Sequence, residues 1–164
     1  MPGGGRRISV NEPATYLEKD GTEWAHTLQH SNPILRRLAV YALGEIGPQA
    51  HGGVPALRAA LQDPVNWVRV WAAAAFAKVT NDRSAVAVLV AERHAPQAFV
   101  RSLVAWHLGR LGANFPGIEA GIDALQQLRD DDDPSVQAEA CIALQTLQSK
   151  GSLPSGTAFL SSHT

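Results

Sequence analysis

Residues 63–80 read DPVNWVRVWAAAAFAKVT, and the fold follows from that stretch. Asp63 and Pro64 are helix-opening chemistry: an aspartate side chain accepts orphan backbone N–H groups, and proline in a first turn forfeits no hydrogen bond. Arg69 lies one turn further in. Beyond it Ala72, Ala75, Phe76 and Val79 recur every three or four residues, which puts them on one side of a helix. The same skeleton appears upstream as Asn32-Pro33, Arg36, Ala39, Ala42, Leu43, Gly44, Ile46 and Gly47. Downstream it returns as Pro96, Val100-Arg101, Val104, His107, Leu108, Gly109, Leu111 and Gly112. A fourth copy runs Asp133-Pro134, Val136-Gln137, Ala140, Ala143, Leu144 and Leu147.

Subtracting successive positions of Arg36, Arg69, Arg101 and Gln137 gives spacings of 33, 32 and 36 residues. A period that steady, with matched positions inside each copy, is the signature of a helical solenoid. Each copy has room for a second, returning helix, predicted from about Gly53 to Gln62, Ser84 to Glu92 and Gly117 to Leu128. Gly47-Pro48 supplies a glycine cap and a proline stop. Asn81-Asp82 makes the next turn. Before the first copy, Pro13 opens a short helix through Tyr16 and Leu17, and Thr22 caps another from Glu23 to His30. Residues 1–12 read as a flexible arm, 13–149 as the repeat domain and 150–164 as a C-terminal tail without helical periodicity.

Composition narrows the function. The chain is 45% hydrophobic and only 18% charged, with a net charge of −1. That balance offers no general attraction to nucleic acid or to an anionic membrane surface. No apolar run reaches the roughly 18 residues that would span a bilayer. Cys141 is the single cysteine, so no intrachain disulfide forms and a reducing, cytoplasmic setting is expected.

The pattern Asp/Asn-Pro, Val-Arg, two residues, Ala, two residues, Ala-Leu-Gly, one residue, Ile/Leu-Gly resembles HEAT-like repeats, and most closely the short variety of phycobilin lyase-type proteins. The resemblance spans roughly Thr22 to Ser149. It implies an all-α, right-handed α-α superhelix of about four helical hairpins, the first helices on the convex side and the second on the concave side. It also implies surfaces that engage proteins. The last copy departs from the pattern, with Gln137 in place of arginine and no terminal glycines.

The resemblance further implies that Arg36, Arg69 and Arg101 brace neighbouring repeats, through turn carbonyls or acids such as Asp63 or Asp82. The planar guanidinium fork suits that role. His26 and His30, four apart with Glu23 nearby, are too few for a four-coordinate metal site, so neither metal nor cofactor is expected. No His-Glu dipeptide occurs, which removes the di-iron hydroxylase option. The competing reading is an enzyme or ligand-handling protein that uses the concave groove.

The anomaly lies on the side of the first helices turned away from the core. Counting from the arginine at about 100° per residue, positions +2, +5 and +9 face outward. Position +9 is charged in Glu45, Lys78 and Arg110. Position +2 holds Leu38, Trp71 and Leu103, and position +5 holds Tyr41, Ala74 and Trp106. With Trp67 and Val70, which the repeat does not require, these form an apolar ridge. It is the expected contact surface for a protein partner or a second copy of the chain. His107 falls at a core position where other copies have alanine, and a neutral histidine bonded to a carbonyl is expected there.

Overall fold

The computed structural model describes residues 15–149. The arm reading and the tail reading therefore fall outside the described residues. Within them the chain forms eight α-helices. They are α1 (Gly21–Thr27), α2 (Pro33–Ile46), α3 (Val54–Ala60), α4 (Asn66–Thr80), α5 (Ser84–Ala91), α6 (Ala98–Leu111), α7 (Ile118–Leu128) and α8 (Pro134–Ser149).

Helices α2, α4, α6 and α8 carry the repeat motif and pack side by side as one layer. The shorter helices α1, α3, α5 and α7 return behind them; α1 and α3 pack on the motif helix that follows, α5 chiefly on α4 before it, and α7 on both α6 and α8. This is an all-α solenoid. Its core runs between the layers as one continuous cluster, with Leu43, Leu57, Phe76, Leu89, Leu108, Leu125 and Leu147 fully buried.

The helix boundaries follow from local chemistry. Asn32 Oδ1 accepts the Ile34 N–H at 2.9 Å, and Pro33 occupies the first turn of α2. Gly47 ends that helix at φ +69°, a conformation that costs only glycine nothing. Asn81 closes α4 in the left-handed region, the one described helix end there that uses a residue other than glycine.

Four expectations are corrected. Tyr16 and Leu17 are not helical: Tyr16 and Lys19 exchange backbone hydrogen bonds of 2.9 and 3.1 Å across a tight turn, with Leu17 and Glu18 at positive φ. Asp20, not Thr22, caps α1. Its Oδ1 accepts the Thr22 and Glu23 N–H groups, and the Glu23 carboxylate accepts the Asp20 N–H in return. That reciprocal box satisfies more orphan donors than one hydroxyl does.

Asp82 joins none of the repeat arginines. It accepts the Ser84 N–H at 2.8 Å at the start of α5 and lies 3.7 Å from Arg58. Val70 is the fourth correction, since it is fully buried and contributes nothing to a surface. It stands at position +1, on the same stripe of α4 as the buried Ala73 and Ala77. In the flanking repeats this stripe carries the packing glycines, and a neighbouring motif helix covers it.

Those glycines set the spacing of the layer. A Cβ on Gly44 would meet Ala75 of α4 at 3.3 Å, and one on Gly109 would meet Ala143 of α8 at 2.8 Å. Position +8 of one motif helix thus nests on position +6 of the next. At the middle junction the register replaces this pair with Ala77 and His107. The larger side chains keep α4 and α6 in less extensive contact than the pairs on either side.

Candidate functional site

Each motif arginine holds two places at once. Arg36 donates from Nε and Nη2 to the two carboxylate oxygens of Asp63, at 2.7 and 2.8 Å, and from Nη1 to the carbonyls of His30 and Ser31. Arg69 reaches Glu92 at 2.6 Å and the Asp63 carbonyl at 2.7 Å. Arg101 repeats the bidentate arrangement on Asp131, at 2.7 Å for both bonds, and takes the carbonyls of Ala95 and Pro96. Gln137 keeps only the backward half, donating to the Asp131 carbonyl at 2.6 Å.

The acid in every case closes the returning helix, and the carbonyl opens the motif helix. The arginines therefore tie turns together and are not available to a ligand. Burial alone would raise the Asp63 carboxyl, but the Arg36 hydrogen bonds and the Val65 N–H outweigh it and hold Asp63 below the usual carboxylate range. Arg101 holds Asp131 low in the same way.

The outward side of the motif helices is where chemistry is left over. Positions −2, +2, +5 and +9 are four, three and four apart, so they form one stripe along each helix. In α2 the stripe reads Ile34, Leu38, Tyr41, Glu45; in α4, Trp67, Trp71, Ala74, Lys78; in α6, Phe99, Leu103, Trp106, Arg110; in α8, Ser135, Glu139, Ile142, Thr146. Seven large hydrophobics are exposed among the described residues, and six of them lie on these stripes: Ile34, Leu38, Tyr41, Phe99, Trp106 and Ile142. Trp67, Trp71 and Leu103 are half-buried against the core.

The rings form a file across the layer. Tyr16 meets Tyr41 at 5.9 Å between centroids, Tyr41 meets Trp71 at 6.3 Å, and Trp71 meets Trp106 at 6.1 Å. Two guanidinium groups lie on the tryptophans, Arg37 at 5.6 Å from the Trp71 ring and Arg110 at 4.6 Å from the Trp106 ring. His107 sits between the indoles, edge-on to Trp71 at 4.8 Å and to Trp106 at 4.6 Å. The expected carbonyl bond is absent at its Nε2, which is buried without a hydrogen-bond partner. Burial, helped by the Arg110 charge, pushes its pKa down to about 3.

The face is therefore grooved and not a simple ridge. One groove of about 650 Å³ runs between Trp71, Phe99, Leu103 and Trp106 and the start of α8, where Asp133 and Glu139 line it. A second of about 570 Å³ lies diagonally across the same two tryptophans, lined by Tyr41, Glu45, Lys78, Arg110 and Phe115. Lys78 pairs with Glu45 at 3.0 Å.

A model of HEAT repeats matches residues 22–109, more than half of the chain. The chain belongs to the HEAT-repeat family. Among curated proteins none matches it. HEAT repeats generally mediate protein–protein interaction, and the face just described carries six of the seven exposed large hydrophobics among the described residues.

Of the residues singled out in sequence, the structure brings Leu38, Tyr41, Trp71, Leu103 and Trp106 onto one face, sets Trp67 at its N-terminal edge and removes Val70. Sequence reasoning missed Ile34, Phe99 and Ile142. The first two were recoverable by extending the +2/+5 stripe back one turn, and Ile142 by applying it to the fourth copy. Near Glu23, His30 is otherwise engaged, its Nδ1 accepting the Asn32 N–H, and Glu23 belongs to the α1 cap. No group of three His, Cys, Asp or Glu residues able to hold a metal ion occurs among the described residues. No described helix is long and apolar enough to cross a membrane.

Proposed function

We propose that this HEAT solenoid is a non-catalytic interaction module that binds protein through the outward stripes of α2, α4, α6 and α8. One observation carries the reading: six of the seven exposed large hydrophobics among the described residues share those stripes. At about 200 Å² per side chain, and between a third and three-fifths uncovered, they expose on the order of 550 Å². That lies at the upper end of the ~300–600 Å² expected for the largest patch on an ordinary monomer. Aromatic residues with arginine at their rim are also the composition of interface centres.

A reducing, cytoplasmic setting is part of the proposal, supported by the one cysteine, Cys141, which is free and exposed.

Site-specific photo-crosslinking in an extract of the source cells tests it. A photoreactive residue at Phe99 or Ile142 should yield a defined protein adduct, and one at Gln126 on the return layer should not. Adducts from Gln126 with none from Phe99 or Ile142 would refute the reading.

A further inference from the structure

The two grooves share a wall, Trp71 and Trp106, and differ in charge. The groove toward the start of α8 is lined by Asp133 and Glu139 with no basic residue. The groove diagonally across the wall contains Glu45, Lys78 and Arg110. Glu45 is neutralised by Lys78, which leaves the Arg110 guanidinium, stacked on Trp106, as its net charge. One side of the wall is acidic and the other basic.

Such a surface complements itself. When two copies meet face to face about a two-fold axis that lies in the interface and follows the Trp71–Trp106 wall, each groove faces the opposite groove of the other copy. Glu139 of each chain then approaches Arg110 of the other, and the half-exposed indoles meet on the axis. An isologous contact requires this relation, in which residue i meets j and j meets i. Area agrees: the ~550 Å² of apolar side chain, with its charged rim, approaches the ~800 Å² per partner of a standard interface.

We propose that the partner of this face is a second copy of the same chain, in a two-fold dimer with the acidic groove of one copy against the basic groove of the other. The inference rests on the proposed interaction face and names its occupant.

Sedimentation equilibrium and light scattering on purified protein test it with two charge reversals, Glu139→Arg and Arg110→Glu. The wild type should run at twice the 17.5 kDa chain mass. Each variant alone places like charges together twice in its own dimer and should lose at least about tenfold in self-affinity. An equimolar mixture of the two variants should dimerise again, because the introduced arginine of one chain then faces the introduced glutamate of the other. Circular dichroism guards against unfolding, since the mixture cannot rescue a misfolded chain. A monomeric wild type, single variants that dimerise as the wild type does, or a mixture that stays monomeric would each overturn the proposal. Should the wild type be monomeric while Phe99 and Ile142 still crosslink to another protein, the dimer fails and the interaction face stands.

Discussion

Lowering the pH from 7.5 to 5.0 should destabilise the protein through His107 alone among its described ionisable groups with a resolved shift. The side chain is 5% exposed, wedged between two indoles, and its buried Nε2 has no partner. Folded, it titrates near 3; unfolded, it titrates near the ordinary 6.5. Between those values the unfolded chain takes up a proton that the folded chain refuses. Stability is therefore complete above about pH 6.5, falls as pH drops, and levels off near 3. Integrating from pH 7.5 to 5.0 gives a loss of about 2 kcal/mol.

The window is chosen because Asp63, Asp82 and Asp131 are all held below their usual range and stay ionised throughout it. The assay is urea unfolding followed by tryptophan fluorescence and circular dichroism at both pH values, for wild type and His107→Leu. The variant keeps the volume roughly and cannot be protonated. Wild type should lose about 2 kcal/mol more than the variant between the two pH values. Equal losses would mean that His107 is solvated or bonded in the folded protein, and the burial argument would fail.

Two further perturbations probe the architecture. Asp63→Ala leaves the Arg36 guanidinium buried without its bidentate partner and should cost about 3–5 kcal/mol. Adding Arg36→Met should recover part of it in the urea midpoint, and a double variant no better than the single would show that the ion pair is not the cause. Gly109→Ala should destabilise by about 1–3 kcal/mol, because the new methyl sits 2.8 Å from Ala143 backbone. Gly44→Ala, where the nearest atom is the Ala75 methyl at 3.3 Å, should cost less. A thermal melt that ranks the two in the opposite order contradicts the helix spacing described for the two junctions.

The sequence by itself determined the repeat: where each motif helix begins to within two residues, at its proline in α2 and α8 and two residues after it in α4 and α6, which of its sides is buried, and that the outward side of three copies is apolar. These are properties of one helix and its caps, and residue type and spacing carry them. Tertiary structure decided what each side meets. Val70 and Arg37 hold the same repeat position, yet one is buried and the other exposed, because burial depends on what the neighbouring helix sets opposite. The acids bound by the arginines lie 27, 23 and 30 residues downstream and are not of one type. No spacing rule within a repeat locates them. The outward residues likewise read as a ridge in sequence. They became two oppositely charged grooves only when α2, α4, α6 and α8 packed side by side, since a helical period fixes a side chain's direction about its own axis and says nothing of what stands across from it.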